Sequence, residues 1–347
     1  MEPVTHFLTG AALARAGFNR KTALATVTMT LAAEAADIDV LASVKGSATG
    51  FIVHRGITHT FLGVPFIAAL VVGLVWAVDA LWQRRRQRRG LPPPASRRWG
   101  LLYLFACVAG LSHLLLDFTN NYGVRPFYPF ARQWYAWDIV FIIEPLILAA
   151  LFAALTLPSL FGLVGQEIGV RQRGPRGRGA AIAALVFIVA LWGFRDFEHR
   201  RALAALNAVE FHGEASRRVA AFPYMVNPFH WAGVAETSTA FVSMHVDSLR
   251  PEVDAGNSAE TYYKPDANEA TTAARNTPLG RAYIEWARFP LVEAEHQGPP
   301  ASGDLVHFSD VRFLYPDGRR RPLQAYVLLD ANHQATWQGF EPPNGSR

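Results

Sequence analysis

Cysteine is nearly missing from this chain: its 347 residues include one, Cys107, inside an apolar run. A single thiol excludes an intrachain disulfide framework and any cysteine-based zinc site. Charge is scarce as well. Asp, Glu, Lys and Arg make up 18% of the chain, against 51% hydrophobic residues. A soluble globular chain carries nearer about 25% charged residues, so the composition leans toward the membrane. There is no Gly-rich phosphate loop, no GxSxG nucleophile elbow and no HExxH, which removes the common phosphate-cradling, serine-hydrolase and zincin signatures. Basic and aromatic residues are not interleaved on a polar stretch, as a nucleic-acid surface requires. No nucleic-acid partner is expected. The start does not read as a signal peptide, because His6 and Arg15 interrupt its apolar stretch and no cleavage site follows.

Long apolar runs dominate the first part of the chain. The stretches 60–82, 99–117 and 139–164 each approach the roughly 20 apolar residues a spanning helix needs; a shorter fourth run covers 180–194. Two weaker apolar segments, 7–17 and 22–36, flank Gly17-Phe18-Asn19-Arg20-Lys21 and read as a helical hairpin. Arginine sets the orientation. Seven arginines fall in 84–98 and four in 171–178, and short basic loops stay cytoplasmic. The Arg15/Arg20/Lys21 tip joins them. Segment 37–59, the end of the second long helix and the loop 118–138 then face outward.

Beyond residue 197 the chain turns polar, with strand-like runs at TAFVSMHV, VHFSDVRFLYP and PLQAYVLL. Residues 251–280, rich in Asn, Ala, Thr and Pro, read as a long loop. The expected architecture is a polytopic α-helical membrane bundle over 1–196 followed by a soluble α+β domain over 197–347, placed outside the cytoplasm if 180–194 spans. His230, His307 and Asp310 in that domain have no partner pattern and read as structural.

The chemistry lies in the histidines and aspartates of the membrane part. His113-Leu-Leu-Leu-Asp117 puts two side chains on one helical face, one turn apart. That spacing suits two ligands of one metal, an aspartate orienting a ligand histidine, or a plain hydrogen bond within a bundle. Asp37-Ile-Asp39 ends an apolar helix; both carboxylates reach one site only if the helix unwinds there, and otherwise they are solvated groups at a helix end. Glu34 precedes them by one turn. In His54-Arg-Gly-Ile-Thr-His59 the Gly56 turn lets both histidines approach a site from a loop. Thr58 is a candidate N-cap for the following helix, with Ile57 and Leu62 as a staple, which favours a neutral imidazole at His59. Arg55 suits an anionic substrate group such as a phosphate. The bland alternative is an interfacial cluster of arginine and histidine. His6 gains meaning only from this company. Asp138 opens the third long run, and Glu144 lies a turn and a half inside it. Ionisable groups gathered at one membrane face mark a functional site, and His with Asp is a donor set for zinc and similar divalent ions.

THFLTGAAL at 5–13, ADID at 36–39, HRGITHT at 54–60, HLLLD at 113–117 and NYG at 121–123 together resemble the YdjM-type family of membrane-bound, predicted metal-dependent hydrolases. The resemblance covers about residues 1–150. NPFHW and HFSDVRF look like its longer members with a C-terminal extension. Ala36 stands where that family usually has proline, and Glu144 where related chains often carry aspartate. The order of His and Asp residues is also similar, in spacing alone, to zinc-dependent phospholipase C and P1 nuclease. These features lead to one expectation: an inner-membrane, multi-pass hydrolase with its site at the outer face. A divalent metal, zinc foremost, is held by His6, Asp37, His54, His59, His113 and Asp117. Asp39 serves as general base and Arg55 as the substrate's anion binder, and the substrate is a lipid or lipid-linked ester or phosphoester. The alternative is a non-enzymatic membrane protein stapled by a metal or a His/Asp network, with a partner-binding soluble domain.

Overall fold

The computed structural model describes residues 1–92, 95–167, 177–211, 214–250, 253, 259–298, 303–314 and 322–343. Most of the basic segment 171–178 lies outside them. The chain groups into two compact units: residues 1–38, 55–131 and 135–194 form the first, and 39–54, 132–134 and 195–347 the second.

The first unit starts with the expected hairpin, α1 (Pro3–Ala16) and α2 (Ala25–Glu34). The Glu2 carboxylate accepts the Val4 and Thr5 amides, and Pro3 opens the helix where its missing N–H costs nothing. The two helices pack unusually close. A Cβ on Gly10 would lie 2.7 Å from the Met29 carbonyl oxygen and 2.8 Å from Ala33 Cβ. Gly10→Val therefore forces the hairpin apart, and overpacking of this kind costs about 1–3 kcal/mol. A thermal melt without a fall in midpoint would contradict this packing.

After Glu34 the α-helix tightens into a 3-10 stretch, Ala35–Lys45, and then α3 (Ser47–Val53), which with residues 39–54 belongs to the second unit. The membrane-type helices of the first unit are α4 (Gly63–Arg88), α5 (Trp99–Thr119), α6 (Pro145–Glu167) and α7 (Arg178–Asn207), the last continuing into the second unit. By length and composition α4, α5 and α7 can each cross a membrane, while the apolar part of α6 is shorter, Pro145–Phe161. Two expectations are corrected here. The run at 180–194 is part of a 30-residue helix, not a short span. The run at 139–164 becomes helical only at Pro145, whose ring disfavours helical backbone in the residue before it. Asp138 thus opens no helix; it sits at φ +60° in an irregular segment, and Glu144 lies just ahead of α6, its carbonyl accepting the Leu148 amide.

Small residues let these helices meet. Ala25, Met29, Ala32 and Ala33 of α2 pack with Ala68 and Val71 of α4 and with Leu102, Ala106 and Ala109 of α5. On the other flank Leu116, Ile139, Ile147, Leu151, Ile188 and Leu191 form a second core. Outward, α4 leaves Phe66, Leu70, Leu74, Trp76 and Leu81 exposed, an apolar surface suited to lipid rather than water.

In the second unit a hairpin of β1 (Glu210–Phe211) and β2 (Glu214–Ala215) precedes the main sheets. β3 (Arg218–Pro223), β4 (His230–Glu236), β5 (Ala240–Asp247) and β6 (Glu260–Tyr263) form one antiparallel sheet in the order β3-β4-β5-β6. After α8 (Glu269–Arg275) and α9 (Pro278–Trp286) comes a second sheet of β7 (Pro290–Gln297), β8 (Gly303–Asp310), β9 (Ala325–Leu329) and β10 (Ala335–Gly339), ordered β10-β9-β8-β7. Ala202 and Leu206 of α7 cover one face of the first sheet and Phe289, Val311 and Leu314 the other, so β5 is buried on both faces from Ala240 to Met244. The expected long loop at 251–280 is corrected: β6, α8 and the start of α9 occupy its described part. The Asn, Thr and Pro residues that suggested a loop are helix caps. Asn268 and Thr271 form a capping box, and Thr277 caps a helix that opens on Pro278. Asp310 is structural, accepting the Arg288 amide and the Arg312 Nε–H.

Candidate metal centre

Five of the expected site residues converge in the first unit. α1 brings His6, the unwinding after α2 brings Asp37, the 3-10 turn Ile57–His59 brings His59, and the last turns of α5 bring His113 and Asp117. His6, His59, His113 and Asp117 are fully buried, and Asp37 is 17% exposed at its side chain. Two ligand-type triads result, His6/His113/Asp117 and Asp37/His59/His113, in each of which the donor atoms lie within 4.8 Å of one another.

The spacing is that of a coordination shell. His59 Nε2 lies 3.0 Å from His113 Nε2, 3.2 Å from Asp37 Oδ1 and 3.6 Å from Asp117 Oδ2. His113 Nε2 lies 3.5 Å from Asp117 Oδ2 and 3.7 Å from Asp37 Oδ1. Ligands about 2.0–2.1 Å from a tetrahedral zinc are about 3.3 Å apart, in the same range. The tautomer fits too. His113 Nδ1 donates to the Ala33 carbonyl at 2.7 Å, which leaves the Nε2 lone pair facing the cluster. His6 stacks on His113 with ring centroids 3.7 Å apart, and among the described residues neither of its ring nitrogens, nor Asp117 Oδ2, has a hydrogen-bond partner. Buried polar atoms left this way point to a missing partner. Orphaned donors, facing lone pairs and an all-His/Asp set together fit a divalent ion.

The electrostatics agree. Burial first, then the neighbouring His113, pushes the His6 imidazole well below its ordinary value, so it is neutral and can ligate. Burial alone raises the Asp37 carboxyl, but the His59 hydrogen bond and the His113 ring outweigh it, and the group ends below its ordinary value. Glu34, one turn before Asp37, is pushed up to about 7 by burial first and then by Asp37 and Glu2.

Arg55 sits beside the cluster and grips it. Its backbone is left-handed, φ +51°. Its guanidinium donates to Asp117 Oδ1 at 2.8 Å and to the Gly123 carbonyl at 2.6 Å, and lies 4.6 Å from the Tyr122 ring centre. Gly123 holds φ +84°, and a Cβ there would lie 2.9 Å from the Tyr135 carbonyl oxygen; this is the reason for glycine in the NYG run. The Met1 nitrogen also contacts Asp117 Oδ1.

The remaining two expected ligand and base residues pair with each other in the second unit, His54 Nδ1 lying 3.1 Å from Asp39 Oδ1. The register of Asp37-Ile-Asp39 thus divides the two carboxylates. One capping expectation is corrected. α4 begins at Gly63, whose amide donates to Thr60 Oγ1 at 2.8 Å, so Thr60 and not Thr58 caps it, and His59 ends a 3-10 turn rather than starting the helix. Thr58 Oγ1 instead lies 3.0 Å from His59 Nδ1. Two partners had no readable signal in the sequence, the Ala33 and Gly123 carbonyls, because every residue carries one.

The site and the basic cluster lie at opposite ends of the helices. His59 precedes α4, and Arg84 to Arg88 end it, about 39 Å further along at 1.5 Å per residue.

Comparison with known proteins agrees with this picture in the first part of the chain. The uncharacterized protein YfhP of Bacillus subtilis (strain 168) is 26% identical over 165 residues, 45% of this chain and 46% of that protein. The match therefore spans about half the length of that relative. No solved structure matches. The family described as YdjM inner membrane protein matches residues 1–202, which include all five clustered residues, α4, α5 and all but the last turn of α7. The chain belongs to the YdjM inner membrane protein family.

Proposed function

We propose that the chain is a metal-dependent hydrolase embedded in the inner membrane, with its site at the outer face, acting on a lipid or lipid-linked ester or phosphoester. The observation that carries this reading is the buried His6/Asp37/His59/His113/Asp117 cluster at the end of the helices away from the arginines. Basic ends stay cytoplasmic, so this end faces outward. In this proposal the C-terminal domain lies on the outer side as well.

A divalent ion held here, zinc by the donor set, supplies Lewis acidity and lowers the pKa of a bound water. The chain's residues do the rest. His113 is held by the Ala33 carbonyl with its lone pair inward. Asp37, the one partly exposed member, opens the cluster to the outside. Arg55 fixes Asp117 Oδ1 and is the cation assigned in this proposal to the anionic headgroup.

One observation favours the second reading, a structural staple. Four of the five clustered side chains are fully buried, and closed sites are the mark of structural metals. A direct assay separates the two. Purified protein is stripped with chelator, reloaded with Zn²⁺, and offered phosphatidate, phosphatidylglycerol and a short-chain carboxylic ester. The enzyme reading expects hydrolysis of one of them, restored only on reloading and absent in His113→Ala. Stoichiometric metal with no turnover of any of the three would establish the staple instead.

A further inference from the structure

A second site lies in the first unit, at the opposite end from the His/Asp cluster. A cavity of about 500 Å³ is lined by Gly17, Phe18, Lys21, Leu101, Phe105 and Arg178. It sits between the hairpin tip, the start of α5 and the start of α7. Along α5, Leu101 and Phe105 precede Asp117 and His113 by roughly 24 Å and 12 Å at 1.5 Å per residue, so this is not the metal centre.

Two properties of this cavity are unusual together. Its walls are apolar and aromatic, yet Lys21 and Arg178 border it. The cations are uncompensated: among the described residues Arg15, Arg20, Lys21 and Arg178 form no ion pair with a carboxylate. The hydrogen bonds of two of these guanidinium groups go to backbone carbonyls, Arg178 Nε to Ala16 at 2.9 Å and Arg15 Nη1 to Leu155 at 2.6 Å. That fixes the side chains and leaves their charge available. A neighbouring cavity of about 420 Å³, lined by Val27, Leu31, Leu74 and Trp82, makes the contrast. Its cation, Arg97, is paired with Asp79 at 2.6 Å and offers no net charge to an anion.

We propose that the Lys21/Arg178 cavity binds an anionic phospholipid of the leaflet on the basic side. The phosphate lies against Lys21 and Arg178, and an acyl chain lies on Phe18, Leu101 and Phe105. Basic pockets between membrane helices on the cytoplasmic side suit anionic headgroups, and the apolar wall selects a lipid over a free anion.

Native mass spectrometry of the purified full chain tests this, with phosphatidylglycerol and phosphatidylcholine of equal chain length as probes. Wild type is expected to hold phosphatidylglycerol at least tenfold more tightly. A cation near an anionic headgroup is worth about fivefold in affinity, so Lys21→Gln with Arg178→Gln weakens the binding about thirtyfold. Leu101→Trp fills the wall, keeps both charges and also lowers phosphatidylglycerol binding, which keeps the test alive if the double variant fails to fold. Arg84→Gln with Arg85→Gln, at exposed positions on α4, leaves binding within twofold. Equal binding of the two lipids, undiminished binding in the cavity variants, an equal loss in the α4 control, or displacement of the lipid by millimolar inorganic phosphate would each overturn the proposal.

Discussion

His113→Ala is expected to strip most of the metal from the purified protein and to lower its melting temperature, and Asp117→Ala to do nearly the same. His113 has the larger expected effect because its Nε2 belongs to both ligand triads, so its loss breaks each of them. Metal binding by a site that does not exist in the unfolded chain adds directly to folding stability, which is why ligand loss appears in both readouts. Elemental analysis of wild type is expected to give near-stoichiometric transition metal, and less than about a tenth of that in His113→Ala, since even groups that only orient a ligand are worth 10–100-fold in affinity. The same measurement on His54→Ala fixes the place of that residue. A loss on the His113 scale puts His54 among the ligands, as its spacing suggested, and full retention confines it to the Asp39 pair. Metal retained at wild-type level by both His113→Ala and Asp117→Ala would end the metal assignment.

Arg55→Ala is the second large effect, and the packing raises its expected cost. A guanidinium serving substrate alone would leave the fold intact when removed. Here it is buried against Asp117 and the Gly123 carbonyl. Removing one partner of a buried ion pair leaves the other charge uncompensated, a cost of about 3–5 kcal/mol. In a unit of this size that lowers the melting midpoint by roughly 6–20 °C. Metal affinity should fall 10–100-fold, because Asp117 is no longer held. Arg55→Lys keeps the charge but loses the forked geometry and falls between. A variant with wild-type melting and wild-type metal content would show that the contact braces nothing. If such a variant also lost turnover, Arg55 would act on substrate alone.

The sequence by itself determined the membrane character, the hairpin, the basic end of α4 and the five residues that cluster, to which it also added His54, paired in the structure with Asp39. Each of these is local or additive: hydropathy sums over a window, arginines set an end, and HxxxD shares a helical face whatever surrounds it. Helix boundaries were less legible, because Pro145 and Thr60 shift a start by several residues without altering the apolar pattern. The stretch 251–280 was misread for a related reason, since capping residues and loop residues are the same types. Only the tertiary structure decided which of Asp37 and Asp39 faces the cluster, since that depends on how the chain unwinds after Glu34. It alone turned Arg55 inward onto Asp117, and it alone supplied the Ala33 carbonyl that fixes the His113 tautomer. Those contacts join residues 62 and 80 positions apart. A main-chain carbonyl is the same group in every residue, so its place at a site is set by packing, here by the packing of α2 against α5, and not by the side chain that carries it.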